Sequence, residues 1–252
     1  MPVDRALFLQ NLTAKRAPNW RCPRCGGGHL RLVADSLHHE FSGDTKAASH
    51  EAGFDADWVV TQFVALVRCD NEDCKEVAAV AGSGRVIEAP NWEAQEMDYE
   101  DLFSPTHVYP SPPIIRLPDK CPAAVTEELK LATICQWNDA TAAAGHIRTA
   151  VERLLDAVRV AKTTLSKKGR TRLTLHQRIA LFEKQKPEQA QALLATKWLG
   201  NAGVHAGEIR REDVFDMFDI IENVLEDLYG SHAKGLAKLV AAVNKARGPT
   251  TK

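Results

Sequence analysis

The chain has 252 residues, of which 44% are hydrophobic and 26% are charged, and this composition is ordinary for a globular protein. It excludes collagen-like and wholly disordered chains, and the length allows one large domain or two small ones. No apolar run approaches the roughly 18 residues that a membrane span needs, and the N-terminus has no signal-peptide pattern. We therefore expect a cytoplasmic protein with no membrane association.

Charge is distributed unevenly along the chain, although the formal net charge is only −1. Residues 1–119 contain 11 Lys and Arg against 18 Asp and Glu, whereas residues 120–252 contain 21 against 15. An acidic first half and a basic second half predict two units with different partners.

The first half has the short β-branched runs of a small sheet. Alternating apolar residues between Gly and Asp or Asn breaks predict strands over Leu30–Val33, Trp58–Arg68 and Glu76–Ile87. One short amphipathic helix is predicted before them, over Arg5–Lys15. Proline then recurs from about residue 89 to residue 122, and proline suppresses both helices and strand pairing. That segment is predicted to be an extended connector.

The second half has helical periodicity. Helices are predicted over Ala123–Trp137, Thr141–Lys162, Leu173–Lys184, Pro187–Leu199 and Arg211–Tyr229. In the last helix, an apolar stripe is formed by Val214, Phe218, Ile221, Leu225 and Leu228. Residues 231–252 are predicted to form a basic C-terminal tail. The fold class is therefore α+β, with a β-rich domain at 1–88, the connector at 89–122 and a helical domain at 123–230.

Two cysteine pairs predict a metal site in the first domain. Cys22 and Cys25 are two residues apart, and Cys69 and Cys74 follow far downstream, each pair beside a predicted strand. This is the plan of a zinc ribbon, in which four thiolates close a tetrahedral, structural Zn²⁺ site. The alternative is four reduced cysteines in a small β-domain. The remaining cysteines, Cys121 and Cys135, are predicted to be small buried apolar residues.

A basic segment lies between two of the predicted helices. From Ala157 to Phe182 the sequence has no acidic residue, and its centre is predicted to be a Gly-containing loop. Such a cluster can neutralise nucleic-acid phosphates, or it can be a solvated face that pairs with acidic residues. The candidate nucleic-acid-binding residues are Lys167, Lys168, Arg170, Arg172, Arg178 and, from the preceding helix, Arg148.

Several strings in the second half resemble one protein family. They are YPSPP from Tyr109, HIRTAVERLL from His146, LHQRI from Leu175, WLGNAGVH from Trp198 and RED from Arg211. Over these strings the chain is similar to the family called domain of unknown function 4145. The resemblance implies an all-α bundle related to the HEPN superfamily, whose domains recur in bacterial anti-phage, restriction and toxin–antitoxin systems, commonly as dimers. Members often carry a cysteine-pair zinc module ahead of this domain.

The resemblance also implies candidate catalytic residues. Active HEPN ribonucleases carry an Arg-Asn-x3-His type string, which Asn201 and His205 fit, but Gly200 stands at the Arg position. Histidine suits proton transfer at neutral pH, and Arg148 and Arg178 are the candidates to supply the missing cation from another helix. The alternative is a helix C-cap at Gly200 and Asn201, with a structural role for His205.

Three functions stay open at this point. We expect first a zinc-containing binding or accessory protein of a prokaryotic defence-type system, which engages RNA, DNA or a protein partner and forms a homodimer. The second is a metal-independent endoribonuclease that uses His205. The third is a structural oligomerisation module, whose stripe around Phe218 packs within the bundle or against a second copy. The missing Arg and the closed metal site favour the first.

Overall fold

The computed structural model describes residues 3–91, 96–166, 169–205 and 209–230. The chain divides into two compact units, Val3–Ile114 and Ile115–Lys252, called here the sheet unit and the helical unit. The mixed α+β class is confirmed, because a sheet occupies the first unit and, among the described residues, five of the six α-helices lie in the second.

An antiparallel sheet of five strands forms the sheet unit. Its strands are β1 (Leu30–Leu32), β2 (His38–Phe41), β3 (Val60–Cys69), β4 (Val77–Asn91) and β5 (Glu96–Tyr109). The order is β1-β3-β4-β5, and β2 pairs with a separate stretch of β3. A short helix, α1 (Gly43–Ala48), follows β2. The three strands predicted from the sequence correspond to β1, β3 and β4.

Strand β3 shows how the alternating pattern builds the core of this unit. Successive side chains of a strand point to opposite faces, and β3 alternates between exposed and buried residues along its whole length. Phe63 lies on the buried face, where its ring is 5.1 Å from that of Phe103. Trp20 is fully buried in the same unit, and its indole N–H donates to the Leu7 carbonyl at 3.0 Å.

Strand β5 corrects the predicted connector. The sequence predicts an extended connector over 89–122, but β4 continues to Asn91 and β5, which ends at Tyr109, pairs with it along its length. Pro105 fits because the pairing register shifts between Ala81 and Gly82, and because β5 is the last strand in the order. Bulges and edge strands are the places in a sheet that tolerate proline.

The β4–β5 hairpin extends beyond the end of β3. Val60 pairs with Arg85, and past that point β4 and β5 pair only with each other, from Val86 and Asp101 to Asn91 and Glu96. This two-stranded extension is called the acidic ribbon, because residues 86–101 include six Asp or Glu and no Lys or Arg.

The predicted N-terminal helix is also wrong beyond its first turn. A single 3-10 turn covers Arg5–Phe8, and the chain then becomes extended at Leu12. Leu12 exchanges two backbone hydrogen bonds with Phe103, at 2.8 and 2.9 Å, and is fully buried. Pairing with the sheet therefore outweighs the helical periodicity of this short segment.

The helical unit contains five helices and a short hairpin in its described residues. They are α2 (Ala123–Cys135), α3 (Ala140–Ala157), β6 (Thr163–Ser166), β7 (Gly169–Arg172), α4 (Leu175–Glu183), α5 (Pro187–His205) and α6 (Arg211–Tyr229). All five predicted helices are present. The predicted loop of the basic segment is instead the β6–β7 hairpin, whose Thr-rich strands favour the extended conformation.

The core of the helical unit contains the predicted stripe of α6. Val214, Phe218, Ile221 and Leu225 are fully buried within the chain, while Leu228 is half-buried. The stripe therefore packs inside the bundle. The predicted basic tail, 231–252, lies outside the described residues. Within the described part of the chain, none of the helices combines the length and apolar content that a bilayer crossing requires.

Candidate metal centre and cationic cavity

The pairing of β1 with β3 brings the two distant cysteine pairs together. Leu30, at the start of β1, pairs with Cys69, the last residue of β3. Cys25 lies a few residues before β1, and Cys74 lies in the turn from β3 to β4. The turns are also tied directly, because the His29 amide donates to the Asp70 carboxylate at 2.7 Å.

The four cysteine sulfurs form one cluster. All four Sγ atoms lie within 4.8 Å of one another. The Sγ atoms of Cys22 and Cys74 are 3.7 Å apart, as are those of Cys25 and Cys69. The predicted convergence of the two pairs is therefore confirmed, and the cluster is compatible with a metal ion. Thiolate sulfur favours soft or borderline metal ions over Mg²⁺ or Ca²⁺.

The first turn directs backbone amides at its sulfurs. The Arg24 amide lies 3.4 Å from Cys22 Sγ, and the Gly28 amide lies 3.3 Å from Cys25 Sγ. The amides of Gly28 and Gly27 lower the pKa of Cys25 to about 6, since they stabilise its thiolate. By contrast, burial raises the pKa of Cys69 to about 12. A positive φ of 63° at Gly26 lets the turn close.

Gly28 leaves the space that the second pair needs. A Cβ at this position would lie 2.5 Å from Cys69 Sγ, 3.0 Å from the Asn71 side chain and 3.1 Å from the Asp70 carboxylate. Any larger residue would therefore push Cys69 out of the cluster. The turn at Gly28 and the turn after Cys69 therefore approach each other closely, which brings the four sulfur atoms together.

The helical unit has a separate cavity of about 620 Å³ with a cationic wall. Its lining comes from α3, from the segment between α3 and β6, from the β6–β7 hairpin and from the start of α4. The charged lining residues are Arg148, Glu152, Arg153, Asp156, Lys162, Arg172 and Arg178. Five cations against two carboxylates leave this wall with an excess of positive charge.

Asp156 holds one side of the cavity in place. Arg178 is buried, and its Nη2 donates to Asp156 at 2.7 Å and to the Val160 carbonyl at 3.3 Å. The Lys162 ammonium lies 2.8 Å from the other carboxylate oxygen. Burial alone would raise the pKa of Asp156, but the hydrogen bonds from Lys162 and Arg178 outweigh it and lower that pKa. Asp156 is therefore charged and paired.

The structure brings together three of the predicted nucleic-acid-binding residues. Arg148, Arg172 and Arg178 line the cavity, although Arg178 is bonded to Asp156 rather than presented at the surface. Arg170 does not line it, and its Nε donates to Thr163 Oγ1 at 2.8 Å on the exposed hairpin. Lys167 and Lys168 lie outside the described residues.

Sequence reasoning missed one lining cation, Arg153, whereas Lys162 belongs to the predicted basic segment. A signal for Arg153 was present in the predicted helix α3. Arg148, Glu152 and Asp156 follow one another at four-residue intervals, so they share one helix face, and Arg153 lies beside that face.

The Gly200 region differs from the predicted C-cap. Helix α5 continues through Gly200 and Asn201 and ends at His205, so neither residue terminates it. A Cβ at Gly200 would lie 3.9 Å from the Cβ of Arg148 on α3. The Arg148 Nε atom is buried and has no hydrogen-bond partner within the described part of the chain. The side chain of His205 lies outside the described residues.

Comparison with known families gives two matches of about equal extent. Residues 10–108 match the family model described as Domain of unknown function (DUF8608), and residues 130–246 match Domain of unknown function (DUF4145). The second match confirms the resemblance inferred from the sequence motifs. No curated protein and no solved structure matches the chain.

Proposed function

We propose that the protein is a zinc-containing binding protein. A regular tetrahedron with Zn–S bonds of about 2.3 Å has edges of about 3.8 Å. The Cys22–Cys74 and Cys25–Cys69 sulfur separations of 3.7 Å have that length. Four sulfur ligands fill a tetrahedral site, so the ion has a structural role in a zinc-ribbon-like sheet unit and offers no open position for catalysis.

The helical unit engages nucleic acid through the cationic cavity. The observation that carries this proposal is the excess of cations around a space of about 620 Å³. Asp156 is already paired with Arg178 and Lys162. Its charge therefore does not neutralise Arg148, Arg153 and Arg172. Phosphate groups are the complementary ligand for such clustered guanidinium groups. A HEPN-like relationship, a homodimer and a defence setting remain expectations from the family resemblance.

Charge reversal at the two exposed cavity arginines tests this proposal. Arg153→Glu and Arg172→Glu together should weaken RNA or DNA binding by the full-length protein at low salt. Each phosphate contact contributes about 0.7–0.9 to the slope of log affinity against log salt, so the double variant should reduce that slope by about 1.5.

Lys130→Glu is the matched control, because Lys130 is exposed on α2 and does not line the cavity. It makes the same change of charge per residue and should leave binding almost unchanged. If wild-type protein has no affinity for RNA or DNA at low salt, or if Lys130→Glu weakens binding as much as each cavity variant, nucleic-acid binding through the cavity is wrong.

One observation favours metal-independent RNA cleavage as a second candidate. Arg148 lies next to Gly200, where the ribonuclease string carries its arginine, and its Nε atom has no hydrogen-bond partner within the described residues. An arginine from α3 would then act with Asn201 and His205 of α5. With excess chelator, wild-type protein should cut RNA to cyclic phosphate ends, and His205→Ala and Arg148→Ala should each abolish the cutting. Equal inertness of wild type and variants on RNA would remove this candidate.

A further inference from the structure

Trp198 is an exposed aromatic residue of the helical unit. It lies on α5 with 55% of its surface exposed, whereas Trp137 of the same unit is 3% exposed. A large aromatic side chain stabilises a fold by being buried, so an indole that stays in water contributes little to packing. The exposure of Trp198 indicates a role other than core packing.

Two basic side chains accompany the indole. The Lys197 ammonium lies 3.4 Å from the centroid of the Trp198 ring, and the ring of His176 is 6.2 Å from it. A flat aromatic surface next to the Lys197 ammonium suits a nucleotide, because the base stacks on the ring while its phosphate is attracted to the positive charge.

Helix α4 connects this aromatic residue to the cationic cavity. Thr174, Leu175 and Arg178, at the start of α4, line the cavity, and His176 of the same turn contacts Trp198. Side chains at successive positions of a helix point to different sides, so α4 can contribute to both features. A helix with its side chains is about 10 Å wide, so a short run of nucleotides can reach from one feature to the other.

We propose that the helical unit binds single-stranded nucleic acid, with one base stacked on Trp198 and the phosphates of neighbouring nucleotides in the cationic cavity. The inference rests on the proposed nucleic-acid binding and adds that the ligand is single-stranded. A base in a duplex is paired and stacked between its neighbours, so it cannot lie on an indole. Stacking is tolerant of sequence, because every base has an aromatic face.

The test compares full-length wild-type protein with Trp198→Ala and Trp198→Phe. The probes are a labelled single-stranded RNA of mixed sequence, the DNA strand of the same sequence, and the duplex formed from that DNA. Trp198→Ala should weaken binding of the single strands about tenfold, which is the size of one stacking contact. Trp198→Phe should retain most of the affinity, and duplex binding should be weaker in the wild type and unaffected by either change.

Trp58→Ala is the matched control, because Trp58 is 46% exposed but belongs to the sheet unit. It should leave single-strand binding unchanged. Single-strand binding should also quench the tryptophan fluorescence of wild type and Trp58→Ala, and the Trp198 variants should lose most of this quenching. Stronger binding of one of the two single strands identifies RNA or DNA as the natural ligand, and the Trp198 dependence is expected for either.

Two outcomes separate this inference from the proposed function. If Arg153→Glu with Arg172→Glu weakens binding while Trp198→Ala does not, nucleic-acid binding stands and base stacking is wrong. If the duplex binds wild type as tightly as the single strands, the inference is wrong as well. If no strand binds at low salt, both proposals fail. Thermal melts of each variant show whether a lost affinity reflects lost folding.

Discussion

At the scale of single residues, two neighbouring glycines have different roles beside the cysteine cluster. A Cβ at Gly28 would collide with Cys69 Sγ, whereas a Cβ at Gly27 would meet only the Cys25 carbonyl at an ordinary 3.9 Å. Neither of them has the positive φ of Gly26. The sequence shows three consecutive glycines without distinguishing them, because the difference arises from a second turn that lies more than 40 residues downstream.

Gly28→Ala should therefore lose metal, while Gly27→Ala should keep it. The alanine at position 28 displaces Cys69, so the fourth ligand leaves the tetrahedral arrangement. Metal content after purification and competition with a chromogenic chelator measure the difference. Equal zinc content in the two variants would contradict the geometry of the cluster.

A second prediction concerns the pH dependence of folding stability and rests on the Asp156 carboxylate. Its folded pKa lies below the ordinary value of about 3.9, so its contribution to stability is complete above that value and is lost as the pH falls through the folded pKa. Asp156→Asn should leave Arg178 buried without its carboxylate, lower stability at pH 7 by about 3 kcal/mol, and flatten the loss in acid. Urea unfolding between pH 2 and 7 measures both effects. Asp216→Asn, at an exposed position of α6, should behave as wild type does.

At the scale of elements, the sequence predicts what depends on local pattern. Strands β1, β3 and β4 and all five helices of the second half are predicted because their apolar periodicity is regular. Strand β5 is missed because Pro105 and a run of acidic residues are typical of a connector. Its existence depends on the partner strand β4, which supplies the hydrogen bonds and the bulge that admits the proline.

Gly82→Ala should weaken this β4–β5 pairing. A Cβ at Gly82 would collide with the Ser104 carbonyl and would lie 2.9 Å from the Phe63 ring, so the two strands must separate. Overpacking of this kind costs about 1–3 kcal/mol. The free energy of unfolding measures the loss, and Gly43→Ala, where a Cβ meets nothing within 4 Å, is the control. Similar stability for the two variants would show that the strands do not approach so closely.

At the scale of the whole molecule, the two units carry different chemistry. The sheet unit has the cysteine cluster, and the helical unit has the cationic cavity and the exposed indole. The change of charge along the sequence predicts two units. The predicted end of the β-rich domain at residue 88 is too early, because Pro90 and Pro105 do not end this sheet. The cysteine cluster follows from the spacing of its members. The cavity does not, because Arg153, Lys162 and Arg172 come together only through the tertiary fold.

Removing the metal should affect the two units unequally. All four cysteines of the cluster belong to the sheet unit. A strong chelator should therefore lower the melting temperature of the sheet unit and leave that of the helical unit unchanged. The far-ultraviolet helical ellipticity follows the second transition, and the near-ultraviolet circular dichroism, to which buried Trp20 contributes, also changes in the first. Adding back zinc, but not magnesium, should restore the melting temperature of the sheet unit. A helical transition that moves together with the first would show that the metal stabilises both units.

The acidic ribbon has a practical consequence for work on this protein. Its two strands have no third neighbour in the described sheet, and Glu88, Asp98 and Tyr99 are exposed on it. A fluorophore attached through a cysteine introduced at one of these positions should therefore report on encounters with other molecules without perturbing the folded interior. The acidic ribbon is therefore a suitable position for a label that reports on binding events.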